Sequence, residues 1–161
     1  MRNVVGILVL SAGLMLIASS PTLAGDAPRK CLDQYNLASG SLALQGYSPV
    51  SYFTAGAAQK GNPQHAVSYR GVTYWLTDAE QVRVFNQNPA KYEPAFGGWC
   101  AYGAAVEKKL PIDPENFKIV DGRLFLFLKN DQVDALKLWD KEDQKTFTVR
   151  ADTWWSKVVE Q

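Results

Sequence analysis

The stretch FKIVDGRLFLFL, at positions 117–128, predicts a β-hairpin. Asp121-Gly122 is a preferred dipeptide for a type I′ turn, because both central residues of that turn have positive φ. The runs on either side are rich in β-branched and aromatic residues, which are typical of strands. We therefore expect two antiparallel strands joined at residues 121 and 122.

A second hairpin is predicted upstream, in HAVSYRGVTYWL at positions 65–76. Apolar residues alternate on both sides of Arg70-Gly71, and this period of two is typical of a strand with one buried face. The register places Tyr69 opposite Val72. Gly71 supplies a positive φ, although Arg is a weaker first turn residue than Asn or Asp.

A helix is predicted directly after this hairpin. Thr77 and Glu80 match a capping box, Val82 and Phe85 lie on one helical face, and Pro89 ends the helix. Strand, turn, strand and helix then form a compact ββα unit. This unit leads directly into FGGWCAYG, at positions 96–103, which contains one of the two cysteines.

The rest of the chain predicts further helical packing. Val133, Leu136 and Trp139 recur at helical spacing, and Trp154, Trp155 and Val158 can cover the core near the C-terminus. No internal repeat or linker divides the chain. The predicted fold is a small single α+β domain with two antiparallel β-hairpins covered by short helices.

The N-terminus is typical of an export signal. Arg2 is followed by the apolar run 4–17, and Thr22-Leu23-Ala24 fits a cleavage site, so residues 1–24 are predicted to be a signal peptide. Residues 25–41 are interpreted as a leader and residues 42–159 as the domain. We expect a periplasmic or secreted protein with no stable membrane anchor after cleavage.

Charge and composition limit the classes of partner. Basic and acidic residues nearly balance, with a formal net charge of +1 for the whole chain, so no nucleic-acid footprint is present. Both methionines lie in the predicted signal. The exported part would contain two cysteines, one histidine and no thioether, which leaves few soft metal ligands.

Four segments resemble the YHS domain family in its exported, single-domain form. They are LALQGYSPVSYF, GVTYWLTDAEQVRVFNQNPAKYEPAFGGWCAYG, IDPENFKIVDGRLFLFL and ADTWWSK. The resemblance implies a treble-clef-like ββα core, similar to that of metal-binding TRASH domains, and an association with copper and heavy-metal handling. By position, the implied functional candidates in the first motif are Gly46, Tyr47 and Pro49, and in the second motif they are Tyr92, Gly97, Gly98, Trp99, Cys100 and Tyr102. The ligand-binding candidates among them are Tyr47, Tyr92, Gly97, Gly98, Trp99 and Tyr102.

This chain departs from the family pattern at two places. Ser48 stands where the first motif usually has an acid, which weakens any scheme that needs a carboxylate there. The TRASH-type cysteine cluster is absent, because Cys31 and Cys100 lie far apart in the sequence and no CxxC is present. A closed structural zinc site is therefore not predicted.

Several roles for Cys100 remain open at this point. In an oxidising compartment Cys31 and Cys100 could form a disulfide, which the chain-entropy model values at about 4 kcal/mol for a loop of this length. A Cys100 thiolate with His65 would suit Cu(I) or zinc, with any further ligand coming from a carboxylate, water or another subunit. Nucleophilic catalysis would need His65 as the base. An inert buried thiol is the fourth reading.

The aromatic residues around the candidate site also have two readings; the set is Tyr47, Tyr52, Tyr74, Trp75, Tyr92, Trp99 and Tyr102. They are either core, or the lining of a pocket for a small apolar or cationic ligand. The sequence therefore predicts an exported, non-enzymatic domain that binds a transition metal, such as copper or zinc, transiently through Cys100. The alternative is a disulfide-closed module that binds a small ligand or a periplasmic protein through an aromatic surface.

Overall fold

The computed structural model describes residues 32–160. The predicted signal peptide, residues 1–24, and Cys31 lie outside the described residues. In the described part, the protein forms a four-stranded sheet, a two-stranded sheet and several helices. The predicted class, a small single α+β domain, is confirmed, whereas the treble-clef arrangement stays a prediction.

The larger sheet contains the predicted upstream hairpin. Its strands lie in the order β1-β2-β4-β3, with β2 and β4 parallel and the other neighbours antiparallel. Tyr69 pairs with Val72 as predicted, and Arg70 and Gly71 have φ of 52° and 85°, as a type I′ turn requires. The strands are β1 (Leu37–Ala38), β2 (Leu42–Ala43), β3 (Asn62–Tyr69) and β4 (Val72–Leu76).

The second predicted hairpin forms the smaller sheet. Strands β5 (Asp113–Val120) and β6 (Arg123–Phe127) are antiparallel, and Val120 pairs with Arg123 across the turn. Asp121 and Gly122 both have positive φ, which confirms the predicted turn. Strand β5 begins four residues before the predicted stretch, and its register shifts between Asp113 and Phe117.

Six helices cover the sheets within residues 32–160. The longest, α6, packs along α4, and α5 contacts both α4 and β5. None of the helices in this part of the chain is long and apolar enough to cross a membrane. The helices are α1 (Ser51–Thr54), α2 (Ala79–Gln87), α3 (Pro89–Tyr92), α4 (Ala101–Ala105), α5 (Ala135–Trp139) and α6 (Gln144–Val159).

The predicted cap of α2 is wrong by one residue. Asp78, not Thr77, is the N-cap, and its carboxylate accepts the Gln81 backbone N–H at 2.8 Å. Glu80 does not reach back but forms an ion pair with Arg83. Asp is at least as good an N-cap as Thr, so the local preference did not separate these two adjacent positions.

The core lies between the two sheets and is rich in rings. Tyr52, Phe85 and Trp139 are almost fully buried, and β6 contributes four consecutive buried residues, 124–127. Tyr52 donates a hydrogen bond of 2.9 Å to the Pro114 carbonyl. A ring whose polar end has a buried partner can pack in a core without leaving a hydroxyl unsatisfied.

Alkaline pH is expected to destabilise the fold through two buried tyrosines. Burial raises the pKa of Tyr52 and of Tyr74 well above the ordinary value, whereas the same phenols ionise near pH ~10 in the unfolded chain. Below that pH, both buried phenols contribute their full stabilisation of the folded state. This stabilisation is lost as pH rises, because the phenols release their protons more readily in the unfolded chain. Urea unfolding at a series of pH values should show the free energy of unfolding falling, and Tyr74→Phe should make this fall smaller. Reversible ionisation of all seven tyrosines in the folded protein would contradict this prediction.

Candidate functional site

The two motifs that carry the family resemblance form the same unusual backbone turn. Leu44, Gln45 and Gly46 have φ of 56°, 51° and 81°. Phe96, Gly97 and Gly98 have φ of 54°, 60° and 81°. Runs of left-handed residues are rare, since each non-glycine residue there costs about 1–2 kcal/mol. Such strained segments cluster at functional sites, so the two turns mark a candidate site.

Hydrogen bonds from distant parts of the chain hold both turns. The Gly61 N–H donates to the Gly46 carbonyl at 2.8 Å, and the Gln45 side chain donates to the Ile112 carbonyl at 3.1 Å. In the second turn, Asn36 donates to two carbonyls, from its backbone to Gly97 at 2.9 Å and from its side chain to Gly98 at 3.0 Å. The strain is therefore maintained by tertiary contacts.

A narrow crevice lies between the two turns. Its volume is about 10 Å³, which is close to the space that one water molecule needs. Residues from the N-terminal segment form one side, and the first strands and the second motif form the other. The lining residues are Tyr35, Asn36, Leu37, Ala43, Leu44, Val72, Tyr74, Glu93, Pro94, Gly97 and Gly98.

An ion pair lies beside the crevice. The Arg70 guanidinium is 3.6 Å from the Glu93 carboxylate, and the two side chains are 32% and 14% exposed. Burial raises the pKa of Tyr74, and the negative charge of Glu93 raises it further. Arg70 also lies over the Tyr69 ring, 5.0 Å from its centre. Charge and aromatic surface therefore meet next to the second motif.

Arg70 departs from the preference of its own turn. Its φ of 52° suits Asn or Asp better than Arg, and the other hairpin has Asp at the equivalent position. Its Nε is buried with no hydrogen-bond partner among the described residues. Local rules are broken mainly at functional sites, and a buried unsatisfied donor calls for an explanation. Arg70 is a functional candidate on both grounds.

Cys100 is completely buried at the end of the second motif. Its exposed fraction is 0%, and its segment pairs with β6 at Leu126. The thiol sulfur accepts backbone N–H groups from Gly103 at 3.4 Å and from Leu128 at 3.3 Å. Burial raises the pKa of the Cys100 thiol, an effect that these two hydrogen bonds partly offset. The group is thus held as a neutral thiol in the core.

The predicted metal ligands, Cys100 and His65, lie on different elements of the fold. His65 lies on β3, at the edge of the larger sheet, whereas Cys100 lies against β6. Between residues 32 and 160, no group of three or more His, Cys, Asp or Glu side chains comes close enough to hold a metal ion. This part of the chain therefore supplies no closed set of donors for a resident copper or zinc ion. Transient metal binding through Cys100 stays a prediction, tested by comparing Cu(I) uptake of the reduced protein with that of Cys100→Ser.

The predicted disulfide also stays a prediction, because Cys31 lies outside the described residues. Cys100 itself is a free thiol in the structure. We expect it to react with a thiol reagent at least about tenfold more slowly in the folded, reduced protein than in urea, since only the exposed thiolate is nucleophilic. Equal rates would contradict its burial. Counting thiols in unfolded, unreduced protein tests the pairing, because a Cys31–Cys100 disulfide leaves none.

The predicted aromatic ligand-binding residues do not form one pocket. Tyr47 lies at the surface, with its hydroxyl 3.1 Å from Glu115 and Lys60 3.8 Å from its ring centre. Tyr92 is core, 6% exposed, with Phe53 and Phe85 as ring neighbours. Tyr102 lies separately against Phe147.

Trp99 is the predicted aromatic residue that contacts the N-terminal segment. Its indole N–H donates to the Gln34 carbonyl at 2.7 Å. Of the predicted ligand-binding residues, only Gly97 and Gly98 line the crevice.

Sequence reasoning missed most of the crevice. Tyr35 and Asn36 fall in the predicted leader. Glu93 lies inside a segment that carries the resemblance but was not singled out, and Arg70, beside the crevice, was noted only as a turn residue. The weak turn preference of Arg70 was the one available signal, because an Arg in a position that favours Asn suggests a role for its side chain. Tyr74 was noted only as one member of the aromatic set.

The comparisons with known proteins found no relatives. No protein-family profile, no curated protein and no solved structure matches this chain.

Proposed function

We propose that this chain is an exported, non-enzymatic YHS-type domain that binds a partner polypeptide beside the crevice. The observation that carries the proposal is that both motif turns border one small space, the first through Leu44 and the second through Gly97 and Gly98. Each turn has left-handed backbone beside this space. Strained backbone of this kind clusters at binding sites, which supports a shared binding surface.

The chemistry around the crevice supports protein recognition. Trp99, Trp155 and Tyr35 supply half-buried aromatic surface, and Arg70 and Glu93 supply charge. Interfaces are enriched in Trp, Tyr and Arg, because these side chains combine large contact areas with directional polar groups. The crevice holds no more than about one water, so a small molecule would need to open it first.

A random heptapeptide library panned against the whole protein tests this proposal. Enriched peptides should shift the NMR signals of Gly97, Gly98 and the Arg70 side chain in a saturable manner. Arg70→Asn should weaken binding, and because Asn suits the turn, this variant should stay folded. Arg83→Asn is the matched control, since Arg83 lies on α2 in an exposed ion pair with Glu80. Enriched peptides that shift no signal in either turn would refute the proposal.

A further inference from the structure

The segment at residues 34–38, here named the strap, crosses the second motif turn. Its main interactions are polar: Gln34 accepts from the Trp99 indole at 2.7 Å and, through its side chain, from Lys109 at 2.6 Å. Asn36 donates to the carbonyls of Gly97 and Gly98. The strap then joins the sheet as β1, where Leu37 pairs with Ala43. It is bound as an extended peptide binds to the edge of a sheet.

A slot beside Gly97 receives the strap's aromatic side chain. The Tyr35 ring meets the edge of the Trp155 ring, with the ring centres 5.7 Å apart. A Cβ on Gly97 would lie 2.6 Å from Trp155 and 2.9 Å from Tyr35, so only glycine leaves room for both rings. The slot holds an aromatic ring, the Gly97 carbonyl accepts the next backbone N–H, and the Gly98 carbonyl accepts the Asn side chain, so the site fits an aromatic residue followed by Asn.

The strap is attached less firmly than the rest of the fold. No residue between 32 and 42 is fully buried, and the first buried position is Ala43. The connection to β2 is the short turn Ser39–Ser41, in which Gly40 has φ of 71° and contacts little beyond the Thr73 hydroxyl. Segments with few buried apolar contacts open at a lower free energy than the core. The strap can therefore leave and take β1 with it, while β2, β4 and β3 stay paired.

We propose that the strap occupies, within its own chain, a groove that takes an extended partner peptide carrying a Tyr-Asn pair. This inference rests on the proposed function and identifies the class of polypeptide that binds. The groove would offer such a peptide the same contacts as the strap. They are two acceptors on Gly97 and Gly98, the Trp99 N–H, and the slot against Trp155. The strap competes with the partner at the high effective concentration of a tethered ligand, so binding requires its release.

A fluorescent peptide with the sequence of residues 33–39 (DQYNLAS) is the probe. It is titrated against the whole protein, wild type and the double variant Tyr35→Ala/Asn36→Ala. The variant should bind it at least about tenfold more tightly than wild type, since the competing strap is weakened. Asp33→Ala is the matched control because Asp33 is exposed and should leave binding at the wild-type level. A probe with Asn36→Asp should bind at least about tenfold more weakly, because a carboxylate cannot donate to the Gly98 carbonyl as the amide does.

Two results would overturn the inference. One is a folded double variant, by circular dichroism, that binds the probe no better than wild type. The other is equal binding of the Asn and Asp probes. If the double variant unfolds, amide hydrogen exchange of the wild-type protein tests the inference instead. Excess probe should speed exchange of the Asn36 amide, and an unchanged exchange rate would refute displacement of the strap. Library peptides that bind at the crevice while the strap probe does not would reject this inference and leave the proposed function standing.

Discussion

Replacing Gly97 with alanine is expected to lower the free energy of unfolding by about 2–5 kcal/mol. Gly97 has φ of 60°, and a left-handed alanine costs about 1–2 kcal/mol. The new methyl group would also lie 2.6 Å from the Trp155 ring and 2.9 Å from the Tyr35 ring. Overpacking of this kind adds about 1–3 kcal/mol. Urea unfolding of both proteins measures the difference.

Gly122→Ala separates the two contributions to this loss. Gly122 has φ of 74°, but a Cβ there has nothing within 4 Å, so only the conformational cost of about 1–2 kcal/mol should appear. Adding Trp155→Ala to Gly97→Ala should recover part of the loss by removing the larger ring. Equal losses at Gly97 and Gly122 would mean that the slot beside Gly97 is not tightly packed.

Trp139→Ala is expected to cost about 4 kcal/mol, because it removes the largest fully buried side chain. The Trp139 ring contacts Phe125, Phe127 and Phe147, with ring centres 5.6, 5.6 and 5.8 Å away. It therefore joins β6 to α6 at the centre of the core. Loss of the ring leaves a cavity between rigid rings that cannot collapse into it. Thermal or urea unfolding measures the effect.

Trp139→Phe is the matched variant. It keeps much of the apolar volume and removes an indole N–H that has no hydrogen-bond partner among the described residues. A conservative hydrophobic replacement usually costs less than about 1.5 kcal/mol, and removing an unsatisfied donor should reduce this further. If Trp139→Phe lost as much stability as Trp139→Ala, the indole N–H would have to form a hydrogen bond that the described residues do not provide.

The two hairpins could be predicted because their information is local. Asp121-Gly122 and Arg70-Gly71 each specify a positive φ at the turn, and the flanking alternation sets the register. The residue that caps α2 could not be chosen locally, because Thr77 and Asp78 are adjacent and both are good N-caps. Local preference identifies an element more reliably than it identifies the terminal residue.

The candidate site could be predicted only in part. Gly97 and Gly98 were expected to be important, and both line the crevice. The grouping of Cys100 with His65 was chemically reasonable, yet one lies against β6 and the other on β3. Ligand chemistry can be read from residue types, but a distance between residues far apart in the sequence cannot.

By itself, the sequence determined the α+β class, the two hairpins and the positions of their turns, because turn chemistry and alternation act between near neighbours. Only the tertiary structure decided that Leu44 of the first turn lines one crevice with Gly97 and Gly98 of the second, and that Asn36 binds the second turn across sixty-two residues of chain. It also decided the complete burial of Cys100. The physical reason is that burial and the pairing of backbone carbonyls depend on the packing of the whole chain, so the residues of this site carry no local signal of their meeting.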